Sequence, residues 1–431
     1  MSELPKFIPQ VPAGNFHAAF DPLSPPPYKF DDVRFTVFPL HASKAKLQQC
    51  CDRFINNVPK PSAALPFRLE PIQSLVLLEV LDYPVMRSTF PGQSKLGFSS
   101  QKECFFAIPV VKRVNGLAVA VGLFVPFIFV DNDWSLVSGR DVVGFAKLRG
   151  EIDMPVLSGL SQTQFKPMLS VRAFHQFIAE SKSEVRPLVE YAGGLTPFAA
   201  QLIPQQADAD RIWPFGPIEQ LYGDAAPGND LAPVDDDVFQ LLTATSGSEV
   251  AVPNYMFRQY RDAVEPERAC YQEILEAHMS ITGFGAVQAF GPGLKVRVNR
   301  FASLDLGTEL GLQAIDTATA PIASFTHSAS LRFSIRERVY ASCGGPADAP
   351  PPPRSCPELI CAAARLTAGT AVRQSRVGAH MAGSVLRGDL RPAPYANDLR
   401  TVAANAIDYG DGLRSLALEG ARHVLSLPGS R

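Results

Sequence analysis

The stretch with the most chemical content runs from Val130 to Gly150, VDNDWSLVSGRDVVGFAKLRG, where a single lysine stands among apolar neighbours. Lys147 is flanked by Val142, Val143, Phe145, Ala146 and Leu148. An ammonium buried among such side chains loses its hydration, and burial favours the uncharged amine. A free amine attacks ketones. The protonated imine that results withdraws electrons from the β-position, so a carboxylate or an aldol bond there can break without a metal or other cofactor. The alternative is a surface lysine whose stem covers apolar side chains while its amine stays in water.

The other chemistry-bearing patterns are missing from the sequence. GxxxxGK[ST], GxGxxG and GxSxG do not occur, so nucleotide-binding and serine-hydrolase readings lose their anchors. The seven histidines are scattered without an HExxH, which leaves a zincin-type site unsupported. Seven cysteines, an odd number without a CxxC, indicate neither a disulfide framework nor a zinc knuckle. Forty basic and 42 acidic side chains give a formal charge of -2, which removes the electrostatic reason to expect nucleic acid as a partner. No secretory signal is readable in residues 1–21, so the cytoplasm is the expected compartment. The longest apolar run, Gly116 to Val130, contains Pro126 and falls short of the ~20 residues a membrane helix needs. It reads as two buried strands.

The elements that must position Lys147 follow from patterning. With 38 prolines and 28 phenylalanines the body should be rich in strands and turns. Apolar or alternating segments at Arg34–Leu40, Leu75–Leu81, Cys104–Val111, Ala269–Ser280, Leu294–Phe301 and Ser328–Ile335 predict strands. Leu47, Cys50, Cys51 and Phe54 predict a helix over Lys44–Asn56, and Lys166–Ser181 reads as a second helix. The expected organisation is an N-terminal arm over 1–24, a main domain over 25–335 with an insertion at about 155–250, a Pro-rich linker over 336–357, and a helical C-terminal extension over 358–431.

Five places in order resemble the acetoacetate decarboxylase family. They are Pro27-Tyr28-Lys29-Phe30; Leu78-Glu79-Val80; Glu103 followed by Ala107-Ile108-Pro109-Val110; Asp131-Asn132-Asp133 through Gly139-Arg140-Asp141 to Phe145-Ala146-Lys147; and Pro253-Asn254-Tyr255-Met256. The resemblance spans roughly residues 25–335, apart from the insertion. It implies a mainly β, α+β fold: a closed antiparallel β-barrel around a buried cavity, carrying the inserted region and the helical extension.

It also implies Lys147 as the imine-forming amine, Glu79 and Glu103 as cavity carboxylates, and Arg34, Phe145 and Leu148 as residues contacting substrate. Two positions depart from the family pattern. Leu148 stands where the family has a second lysine, so desolvation must activate the amine, with Arg149 a weak substitute. The arginine of the opening motif falls at Arg34, one place beyond the family position, which is Val33 here, and in a strand a one-residue shift reverses the face. Arg140 and Asp141 are expected to form a local ion pair. The implied activity is a cofactor-independent carbon–carbon lyase on a small β-keto acid, in a homo-oligomer without nucleic-acid or membrane partners. Schiff-base aldol or dehydratase chemistry on pyruvate-like keto acids, and a non-catalytic ligand-binding barrel, are the alternatives.

Overall fold

Long apolar segments dominate the first half of the chain, and they pair into one large sheet. The computed structural model describes residues 24–343 apart from 59–64, 96, 156–163, 194–211, 214–215, 218–221, 223–232, 246–250, 286–287, 291–293, 314, 317, 319 and 322–323. The expected arm up to residue 23, the linker beyond residue 343 and the helical extension lie outside the described residues. Packing separates Met1–Ala349 from Pro350–Arg431, and every element below belongs to the first unit.

The strands are β1 (Tyr28–His41), β2 (Arg68–Pro71), β3 (Leu75–Ser88), β4 (Ser99–Val114), β5 (Leu117–Val130), β6 (Lys147–Arg149), β7 (Glu151–Ile152), β8 (Lys166–Ala173) and β9 (Glu184–Ala192). Further along come β10 (Ile212–Trp213), β11 (Gly216–Pro217), β12 (Ala251–Arg261), β13 (Ala269–Phe284), β14 (Gln288–Phe290), β15 (Lys295–Val298) and β16 (Ser324–Cys343). The hydrogen-bonded order β2-β4-β3-β1-β16-β13-β12-β5-β6 is joined by a further pairing of β4 with β5. The pairings therefore form a circuit through β4, β3, β1, β16, β13, β12 and β5. The expectation of antiparallel pairing throughout is corrected at β5, whose pairings with β6 and with β12 are both parallel. β12 meets β5 with Asn254 opposite Leu123 and Tyr255 opposite Phe124. Gly122 makes that approach close, since a Cβ on it would fall 2.4 Å from the Pro253 carbonyl oxygen.

Both faces of this sheet are buried, which is why its strands read as continuous apolar runs rather than as alternation. On β3, Leu75, Leu77, Leu81 and Tyr83 point into the inner cluster, and Val76, Leu78 and Val80 point outward. The outer face is covered by α1 (Lys44–Cys51), by β7, β8, β9 and β15, and by Leu306 and Leu310 from a short helix. The predicted helix over Lys44–Asn56 is α1 continued by a π-turn at Asp52–Asn56, with Ser43 accepting from Lys46 N as its cap.

Three expectations are corrected. Leu117–Val130 is one strand, because a bulge accommodates Pro126: Phe106 faces Phe127 and Ile108 faces Phe124, so β5 carries an extra residue where its proline cannot donate. Lys166–Ala173 is strand β8, with Leu169, Val171 and Ala173 buried at a spacing of two. The last strand, β16, runs past the expected domain end at Ile335 to Cys343, through the first part of the expected linker. The inserted region divides its work. β8 and β9 join a separate four-stranded sheet with β7 and β15, while Trp213, Tyr222, Val238 and Leu242 enter the inner cluster.

Candidate active site

Lys147 reaches the inner face of the main sheet through a short parallel strand. β6 pairs with β5, Lys147 opposite Ile128, and Ile128 belongs to the inner cluster. Lys147 is 6% exposed, whereas Leu148 faces outward. Glu103 lies on β4, which flanks β5 on its other side, opposite Val130. Two strand spacings of roughly 10 Å separate the backbones of β4 and β6. Their long side chains close that gap: Lys147 Nζ lies 2.5 Å from Glu103 Oε1. Glu103 is 6% exposed, and its Oε1 also accepts from Gln101 Nε2 at 2.8 Å.

The segment between β5 and β6 completes the grip. Asp131 Oδ1 accepts from Lys102 N at 2.7 Å and ties the chain to β4. Asn132 caps α2 (Asp133–Ser138) by accepting from Ser135 N at 3.0 Å, and its own amide donates to Ser99 Oγ and to the Ser100 carbonyl, each at 2.9 Å. The helix so placed delivers Ser135, whose Oγ lies 2.8 Å from Lys147 Nζ. A π-turn, Gly139–Val143, follows, closed by Gly144 at φ +90°. A Cβ on Gly139 would lie 2.4 Å from Lys147 Cδ and 2.6 Å from Cε, so glycine is what lets the lysine stem pass. Arg140 Nη1 donates to the Lys147 carbonyl at 2.8 Å, and this replaces the expected ion pair with Asp141.

The amine opens on a cavity of about 80 Å³, room for several waters or one small organic molecule. Its walls are apolar, among them Phe30, Phe105, Val125, Phe145, Met279 and Phe333. Polar groups are few: Lys147, Glu103, Gln101, Ser135, Asn254 and the tyrosines 28 and 83 carry most of the site's chemistry. Burial, then the nearby carboxylates of Glu103 and Glu79, push the Tyr83 hydroxyl well above its ordinary pKa, so it stays a neutral hydroxyl. Among the described residues no three His, Cys, Asp or Glu side chains cluster as metal ligands. No helix of the described residues is long and apolar enough to cross a membrane.

The predicted site residues separate into two groups. Lys147, Glu103 and Phe145 meet at the cavity. Glu79, Arg34 and Leu148 do not line it. Glu79 points to the inner face but is 0% exposed, and neither carboxyl oxygen has a hydrogen-bond partner. Burial alone holds its carboxyl well above the usual carboxylate range. Arg34 is turned outward, its side chain 69% exposed and paired with Asp82. A bulge explains the turn: Phe30 faces Leu331 and Val33 faces Ala329, so β1 holds an extra residue between them, with Asp32 at φ +55°. Val33 then takes the inner place and Arg34 the outer one. Arg149 pairs with Asp133 at 3.3 Å and is likewise turned from the amine.

Sequence reasoning missed Ser135, Gln101, Tyr83 and Gly139 as parts of the site. Gln101 had a signal, since it stands two residues before Glu103 on the same strand and so shares its face. Ser135 had none beyond the Asn132 cap.

Residues 60–182 match the family model for acetoacetate decarboxylase. No curated protein gives a significant match. Among solved structures, an acetoacetate decarboxylase from Legionella pneumophila aligns at 12% identity over 76% of this chain and 93% of its own, with a TM-score of 0.42. An acetoacetate decarboxylase-like enzyme from Sphingomonas wittichii aligns at 14% over 75% and 98%, with a TM-score of 0.41. The enduracididine biosynthesis enzyme MppR, complexed with pyruvate, aligns at 13% over 74% and 92%, with a TM-score of 0.39. The matched segment carries Glu79, Glu103 and Lys147, and across it the chain is similar to the acetoacetate decarboxylase family.

Proposed function

We propose that the protein is a cofactor-independent carbon–carbon lyase that decarboxylates a small β-keto acid through an imine on Lys147. The observation that carries this reading is a buried amine, 2.5 Å from a buried carboxylate and 2.8 Å from a hydroxyl, at the wall of a largely apolar cavity. In this reading the strand circuit is a closed barrel and its interior is the reaction chamber.

Imine formation has its groups within reach. Glu103 accepts a proton from the ammonium, and the freed amine adds to the ketone carbon. Glu103 returns that proton to the carbinolamine oxygen as water leaves, with Ser135 Oγ holding the nitrogen's remaining N–H. The protonated imine then draws the electron pair of the Cα–carboxylate bond, and CO2 departs. Protonation of the enamine carbon and hydrolysis release the ketone and restore Lys147. An apolar wall favours the bond-breaking step because the charge of the departing carboxylate is spread and then lost with CO2.

The outward Arg34 favours a second reading, in which the same imine serves aldol or dehydration chemistry on a pyruvate-like keto acid. An acetoacetate-like β-carboxylate then lacks the guanidinium expected to hold it.

Borohydride reduction in the presence of acetoacetate and, separately, of pyruvate tests both readings by intact-protein mass. The expected outcome is an adduct that disappears in Lys147→Ala. Stronger labelling by acetoacetate with CO2 release supports the decarboxylase, and stronger labelling by pyruvate without it supports the second reading. Absence of any adduct across neutral and alkaline buffers would sink both and leave a ligand-binding barrel.

A further inference from the structure

The π-turn that carries Gly139 and Arg140 is held from outside the cavity by a second set of side chains. The Tyr260 hydroxyl donates to the Asp141 carbonyl at 2.6 Å. That hydroxyl in turn accepts from Arg258 Nη2 at 2.6 Å and from Nε at 3.0 Å. Arg258 Nη1 donates to Glu273 Oε1 at 2.6 Å, and Glu273 Oε2 accepts from Arg338 Nε at 2.6 Å and from the Tyr271 hydroxyl at 2.7 Å. Glu273 is buried on β13, so the network is anchored in the main sheet.

This arrangement is directional. A buried carboxylate with both oxygens engaged fixes the guanidinium, and the planar guanidinium grips the tyrosine oxygen with two nitrogens. The hydroxyl proton then has one acceptor left, the Asp141 carbonyl. Gly144 presses the end of the turn against the same arginine, since a Cβ there would lie 2.7 Å from Arg258 Cβ. On the other side of the turn, Gly139 abuts the Lys147 stem and Arg140 holds the Lys147 carbonyl.

We propose that Arg258 and Tyr260 are positioning residues for Lys147, acting through the Asp141 carbonyl to fix the turn that sets where the lysine stem passes. Neither side chain lines the cavity, so neither touches a bound keto acid. The catalytic consequence rests on the imine reading of Lys147, while the geometric claim stands without it.

The test pairs two readouts on Tyr260→Phe and Arg258→Lys: reductive methylation of Lys147 by formaldehyde and borohydride, followed by peptide mass, and trapping of acetoacetate or pyruvate as a function of keto-acid concentration. Both variants should methylate Lys147 more slowly and lower the saturating trapping rate by about 10-fold, with the half-saturating concentration unchanged. Tyr271→Phe serves as the control. It takes a hydroxyl from the same carboxylate but nothing from the turn, and it should behave as wild type even where its thermal midpoint falls. Wild-type methylation and trapping in folded Tyr260→Phe would overturn the proposal. If that variant does not fold, wild-type rates in Arg258→Lys overturn it equally. Failure of the wild-type protein to trap either keto acid sinks both imine readings of the site, and the methylation rates still decide the positioning role.

Discussion

Lys147 depends on a neighbour that has no side chain. The Cδ and Cε of the lysine occupy the space a Cβ on Gly139 would fill. Those atoms belong to a flexible stem, so Gly139→Ala should spare the fold and displace the amine. We expect keto-acid trapping to fall by about 100-fold while the thermal midpoint moves little, read by intact mass and calorimetry.

Glu79 gives a different prediction. Its carboxyl is raised well above 4.5 by burial alone, so the folded protein keeps a proton that the unfolded chain releases. Its contribution to stability is therefore fully present below the unfolded pKa and is lost as pH rises. Glu79→Gln should remove that slope, gaining most over wild type in mildly alkaline buffer and least near pH 4.5, as urea midpoints at several pH values will report. Lys147 was legible in the sequence because a charge among apolar neighbours has to be accounted for, whereas Glu103 was suggested by the family resemblance alone. The separation of Glu79 from the cavity was not, since an inward-facing strand position has the same spacing whether it opens on a cavity or on packed side chains.

At the scale of elements, the cavity's polar side depends on a six-residue helix that cannot stand on its own. Asn132 both caps α2 and fastens it to the start of β4. Asn132→Ala should cost about 1 kcal/mol of stability and loosen Ser135, so that trapping falls by more than the stability change explains. Denaturant midpoints and trapping rates on the same preparation check this. The long strands β1, β3, β4, β13 and β16 were legible from their apolar or alternating runs, and α1 from its spacing, whereas β9 was not. β8 was misread because Met168, Leu169, Val171 and Ala173 fit a helical stripe about as well as a strand buried against a neighbour. The bulges at Pro126 and at Asp31–Asp32 were invisible to patterning, although the second decides which face Arg34 takes.

For the whole molecule, two clusters share one sheet. The inner one holds the cavity, and the outer one is sealed by α1, the second sheet and the short helix near Leu306. Among the described residues, those lining the cavity fall between Ser24 and Phe333. A chain ending at Ala349, the boundary that packing marks, should therefore keep its cooperative thermal transition and its Lys147 adduct. Loss of either would tie Pro350–Arg431 to the site.

The parallel pairing of Lys147 with Ile128 has one more consequence. The amine's anchor is a backbone register, and most of the surrounding wall, Phe30 on β1, Met279 on β13 and Phe333 on β16, hangs from other strands. The amine and the shape of its chamber are thus separable in sequence. Under the proposed imine chemistry, resizing those wall residues offers a route to admit bulkier ketones, by directed substitution or by drift, without rebuilding the segment that places the amine.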